Sequence, residues 1–155
     1  GWGTVECVQC GGGFQRAMSR DFNGTSSELD MASPAILDNA EPFSMAGWFA
    51  PDSLGEGASA RLVSKESSGT EGSGFWFVTI NTSSVSNEPR LQFMKDYATV
   101  NLNVQSVAGV IKTDGSFQHV VVTWDGSATA TNVKMYVNAA EVSYAGQTDG
   151  TGAKT

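Results

Sequence analysis

The chain has 155 residues, 40% hydrophobic and 16% charged, with Lys+Arg 9 against Asp+Glu 16 for a net charge of −7. That length suits one domain able to bury a core without disulfide stapling. The cations are scattered singly from Arg16 to Lys154, which argues against a phosphate-tracking nucleic-acid binder and against a polybasic membrane anchor, and no apolar run approaches the ~20 residues of a membrane-spanning helix. Sparse charge with abundant Gly, Ser, Thr and Asn leans towards β structure.

In chain order, Gly1-Trp2-Gly3 opens without an initiator Met or a secretory signal, the mark of a processed or excised segment. Cys7-Val8-Gln9-Cys10-Gly11 has the spacing of half a zinc ribbon, but a structural zinc needs four ligands and only His119 remains to supply a third. A low-pKa redox pair wants a following helix, which Gly11-Gly12-Gly13 opposes. A local disulfide and two free thiols remain the alternatives. Residues 1–13 are read as an N-terminal arm or edge strand.

Beyond the arm, apolar residues recur with period 2. Weak strands are expected at Gln15–Met18 and Ser27–Met31, around an Asn23-Gly24 turn. Ser33–Asn39 is the one expected helical turn, with Ser33 as N-cap and Pro34 first. Between Pro42 and Pro51, Phe43, Met45 and Phe49 share a face. Arg61–Lys65, Phe75–Ile80, Arg90–Met94 and Thr99–Val104 follow as strands. From Phe117 to Trp124, the residues Val120, Val122 and Trp124 lie on one side and His119, Val121 and Thr123 on the other. Val133, Met135 and Val137 alternate with Lys134 and Tyr136, and Glu141–Tyr144 is a last weak strand. Many short strands joined by turns such as Asp114-Gly115 and Asp125-Gly126, with hardly any helix, predict an all-β, two-sheet antiparallel sandwich. Residues 14–146 are its expected extent, and 147–155, Gly/Thr-rich without apolar pattern, an expected flexible tail.

Several of these segments resemble one family. Phe22-Asn23-Gly24-Thr25, then Phe43 through Pro51 with Trp48, then Arg61-Leu62-Val63-Ser64-Lys65 and Gly74-Phe75-Trp76-Phe77 stand in the order of the laminin-G-like branch of the concanavalin A-like lectin/glucanase jelly rolls. Phe117 through Gly126 and Val133 through Asn138 continue the resemblance, which covers about residues 14–142. Two departures stand out. Ala139 follows Asn138 where the family has Gly, so that hairpin must change its turn or bear strain. The family's closing strand is not recognisable, leaving a slot for Trp2–Cys10 or for another chain.

The resemblance implies a non-catalytic recognition module, lectin-like or adhesive, with a glycan or cell-surface polysaccharide as partner and work outside the cell or on a virion surface. The alternative it leaves open is a virion decoration or fibre protein assembling as a homo-oligomer or larger array. A glycoside hydrolase fragment is weaker: Glu28-Leu29-Asp30 lacks a second Glu, Ser33 standing in its place, and retaining hydrolysis needs two carboxyl groups flanking the bond. His119 has no nucleophile setting around it and is read as a structural or rim histidine. The family's structural calcium would carry over onto Asn23 with Asp21 beside it. For a glycan, which wants an aromatic face with amides or carboxylates around it, the candidates are Trp76, Tyr97 with Asp96, Asn101, Asn103 and Tyr136. Tyr136 opposes Met135 and so is expected to face outward.

Overall fold

The computed structural model describes residues 20–23, 29, 41–54, 59–65, 76–82 and 88–154, of which 59, 60, 76–79, 81 and 82 are described by their backbone alone. The expected strands at Gln15–Met18 and Ser27–Met31, the helical turn at Ser33–Asn39, the arm Trp2–Cys10 with both cysteines, and Glu28 and Asp30 lie outside the described residues.

Nine strands are described: β1 (Phe43–Phe49), β2 (Ser59–Lys65), β3 (Trp76–Thr82), β4 (Pro89–Lys95), β5 (Leu102–Ser106), β6 (Gln118–Trp124), β7 (Lys134–Val137), β8 (Ala140–Glu141) and β9 (Tyr144–Thr148). A single 3-10 turn at Ala130–Asn132 is the only helical piece among the described residues. The strands form two antiparallel sheets, ordered β1-β6-β7-β8 and β2-β3-β4-β5-β9, and the expected all-β sandwich is what the chain adopts.

Alternation fixes which side of each sheet turns inward. Buried and less buried positions alternate along β6 and β7, so Val120, Val122, Trp124 and Met135 point into the sandwich. Ile80, Leu91, Phe93, Leu102 and Val104 of the other sheet join them in one cluster, with Phe43 and Met45 packed against it. Three rings tie the layers together. Phe93 of the five-stranded sheet lies edge-on to Phe43 at 6.1 Å between centroids and tilted against Trp124 at 5.8 Å, while Phe43 and Trp124 meet at 5.6 Å. Aromatic contacts of this kind contribute beyond the area they bury.

Two buried polar side chains are satisfied locally. Gln118, almost fully buried, accepts from Lys112 N and donates to Lys112 O, both at 2.8 Å. The Ser106 hydroxyl accepts from Leu91 N and donates to Val107 O, both at 2.9 Å, where the β4–β5 ladder ends. An unpaired buried amide would cost about 1–3 kcal/mol.

The β7–β8 hairpin resolves the Asn138-Ala139 question in favour of strain. Val137 pairs with Ala140, leaving a two-residue loop in which Asn138 has φ 51° and Ala139 φ 67°. Both residues sit in the left-handed region that such tight loops require, and Ala pays for its Cβ there. Ala139→Gly is therefore expected to stabilise the domain by about 0.5–1 kcal/mol, read as a higher urea midpoint at unchanged slope; an unchanged or lower midpoint would contradict the strain.

The reading of 147–155 as a flexible tail is corrected for its described residues, 147–154. Gln147 and Thr148 belong to β9, paired with Val104 and Asn103. Asp149 Oδ1 accepts from Ala130 N at 2.7 Å, Gly150 N donates to Ala128 O at 2.8 Å, Thr151 N to Val100 O at 2.9 Å, and Ala98 N to Ala153 O at 2.9 Å. Lys154 then reaches the Glu41 carboxylate and the Gly126 carbonyl, with its ammonium 5.7 Å from the centre of the Trp124 ring. The segment is held by backbone hydrogen bonds, which leave no apolar periodicity in a sequence. Its glycines serve close approach: a Cβ on Gly150 would stand 2.6 Å from the Tyr97 ring.

Candidate functional site

The outer face of the four-stranded sheet is built from the alternate residues left over by the core. On β1 these are Ser44, Ala46 and Trp48; on β6, His119, Val121 and Thr123; on β7, Lys134 and Tyr136. Register sets them in rows: Trp48 opposite His119, Ala46 opposite Val121 opposite Tyr136, and Ser44 opposite Thr123 opposite Lys134. Trp48 is 51% exposed, and its ring lies 5.1 Å from that of His119 at a tilt of 39°. Half-buried Val121 and Tyr136 and exposed Ala46 continue the surface.

The support beneath these rings is specific. Asn138 grips the His119 backbone on both sides, donating its N–H to His119 O at 2.8 Å and accepting from His119 N through Oδ1 at 2.9 Å. This extends the β6–β7 ladder by one residue and fixes the strand segment that carries the imidazole. At the far rim Lys134 pairs with Glu141 at 3.2 Å. The Tyr144 hydroxyl donates to Glu141 Oε1 and accepts from Met135 N, both at 3.1 Å.

Burial pushes the Tyr144 phenol up to about 12, with the Glu141 carboxylate adding to the shift and the Met135 amide opposing it. The folded state thus holds its proton more tightly than the unfolded chain, where a phenol titrates near ~10. The stabilisation is complete below about pH 10 and is lost as pH rises through about 12. Urea midpoints should fall across that window in the wild type and fall less in Tyr144→Phe; parallel pH curves for the two would contradict the arrangement.

The residues singled out from sequence scatter. Tyr136 stands on this outer face, as expected. Trp76 opens β3 with its backbone paired to Lys65 and Lys95, and its side chain lies outside the described set. Tyr97 as a ligand-binding residue is corrected: it is only 4% exposed, because Gly150 packs directly on its ring. Burial raises its phenol pKa, with Glu41 and Asp125 adding to the effect, and its hydroxyl has no partner among the described residues. A ring so covered offers no face to a sugar.

Asn101, half-buried, spends its Oδ1 on Tyr97 N at 3.1 Å, and Asn103 accepts from Gln92 Nε2 at 2.9 Å. Both amides serve the chain's own turns and strands. Asp96 is half-buried beside Tyr97 and lies away from the outer-face rows. Asp21 and Asn23 are exposed. No three His, Cys, Asp or Glu side chains converge among the described residues. Trp48 was not among the residues singled out from the sequence, although the alternation of Phe43, Met45 and Phe49 already placed it on the opposite face. His119, read as a structural or rim histidine, turns out to be its stacking neighbour.

Residues 23–155 match a laminin-G-type family model of the concanavalin A-like lectin/glucanases superfamily. The chain belongs to that superfamily, and membership fits a binding module. No curated protein and no solved structure was found to match.

Proposed function

We propose that the protein is a non-catalytic carbohydrate-binding module that stacks a sugar ring on Trp48 at the outer face of the β1–β6–β7 sheet and works outside the cell or on a virion surface. The observation that carries this reading is the half-exposed indole of Trp48 held against His119 on a rigid strand pair. Pyranose rings have apolar faces of axial hydrogens, and an aromatic side chain fixed on a strand receives them with little loss of side-chain entropy. Glu141 at the rim is already engaged by Lys134 and Tyr144, which supports a role in shaping the surface rather than in acid–base chemistry.

Trp48→Ala is expected to weaken binding to a retained polysaccharide by roughly 30-fold or more, about 2 kcal/mol, as truncation of a central aromatic anchor does. The thermal midpoint should stay close to wild type, since the indole lies outside the core. Affinity electrophoresis against a panel of neutral polysaccharides, followed by calorimetry on the retained one, measures this. Unchanged affinity in the variant would overturn the site. A stable oligomer with no retention on any polysaccharide would overturn the function in favour of an assembly role.

A further inference from the structure

Resting on the carbohydrate reading, we propose that the ligand is a linear, neutral, equatorially 1,4-linked polysaccharide that runs diagonally across the sheet and is read at two rings, one on Trp48 and one on Tyr136. The register carries the argument. His119 faces Trp48, Val121 follows two residues on, and Tyr136 faces Val121. Tyr136 is therefore offset from Trp48 by two strands and two residues, about 12 Å on ordinary sheet spacings.

No single pyranose ring spans that gap. It is close to the separation of a ring from its second neighbour in an equatorially 1,4-linked chain. In their extended two-fold form such chains are flat ribbons in which alternate rings turn over, so a ring and its second neighbour present the same face to a surface. Two aromatic platforms at that spacing select the ribbon. His119 and Val121 lie along the diagonal between them, and small Ala46 leaves the row beside Val121 low.

Charge narrows the ligand further. Lys134, the lysine of this face, is committed to Glu141 at 3.2 Å, and the chain carries net charge −7. An acidic polysaccharide would meet repulsion at long range and, among the described residues of this face, no lysine or arginine that is not already paired. A neutral gluco-, manno- or xylo-configured backbone meets neither obstacle.

Calorimetry with 1,4-linked β-gluco-, manno- and xylo-oligosaccharides of increasing length, and with α-1,4-linked gluco-oligosaccharides beside them, tests the proposal, using wild type, Tyr136→Ala, Tyr136→Phe and Trp48→Ala. Affinity for at least one series should step up, by roughly 10-fold or more for a second aromatic contact, once the oligomer reaches a trisaccharide, and then level off. Tyr136→Ala should remove that step and leave disaccharide affinity unchanged, Tyr136→Phe should keep it, and Trp48→Ala should weaken binding at every length by roughly 30-fold or more. Length-independent affinity, or a step that survives Tyr136→Ala, would overturn the two-ring reading while Trp48→Ala still upholds carbohydrate binding. Binding confined to bent or α-linked chains would overturn the ribbon geometry alone. Failure of every oligosaccharide and polysaccharide to bind would overturn the carbohydrate reading beneath it.

Discussion

Phe93→Ala is expected to destabilise the domain by about 3–5 kcal/mol, the largest effect of any single truncation considered for this chain. Phe93 has no exposed surface, and among the described side chains it is the one ring of the five-stranded sheet that meets both Phe43 and Trp124 of the other. Removing it opens a cavity between the layers, where neighbours on two hydrogen-bonded sheets cannot collapse inward without bending their ladders. Small domains have only about 5–15 kcal/mol in total, so the variant should be close to unfolded at physiological temperature. Urea denaturation followed by tryptophan fluorescence reads the loss, since Trp124 reports directly on the site. A change below about 1 kcal/mol, the scale of an ordinary surface substitution, would mean that the layers are not joined through this ring.

Gly150→Ala should cost about 1–3 kcal/mol, the range for overpacking a filled site. Its added Cβ would stand 2.6 Å from Cδ2 and 2.7 Å from Cε2 of the buried Tyr97 ring. No left-handed backbone is involved at this glycine, so the cost does not come from backbone strain at the residue itself. Neighbouring bonds share in it, because Gly150 N donates to Ala128 O and Thr151 N to Val100 O. A double-mutant cycle with Tyr97→Leu separates contact from context: shortening the ring should relieve most of the penalty. Additive effects would place the strain elsewhere in the 149–154 segment.

The sandwich was legible because burial on one face imposes period 2. Phe43/Met45/Phe49, Val120/Val122/Trp124 and Met135/Val137 each declared the inner side of a strand, and all of them reach the common core. What stayed hidden was structure that leaves no apolar mark. The 147–154 segment is held by main-chain hydrogen bonds and by the reach of Lys154 to Glu41, none of which has a sequence period. Glycines there look like a linker, whereas Gly150 is needed for contact with Tyr97.

The candidate site was legible only in part, and for a related reason. Alternation tells which residues leave the core, and it placed Tyr136 outside correctly. It does not tell which strands are neighbours, so the meeting of Trp48 with His119, 71 positions apart in number, could not be read from either strand. Tyr97 misled because an aromatic flanked by Asp96 and Asn101 has the composition of a sugar site. The amide of Asn101 is spent on the Tyr97 backbone, and the ring on Gly150.

Chemical-shift mapping of the isotope-labelled protein during titration with its retained polysaccharide, fragmented to soluble oligomers, shows whether the sugar sits on the Trp48 face. The account predicts that the largest changes fall on the Trp48 indole and on the amides of His119, Val121 and Tyr136, with the 96–101 loop and the 149–154 segment unmoved. Changes concentrated on that loop and segment, with the Trp48 indole silent, would contradict it.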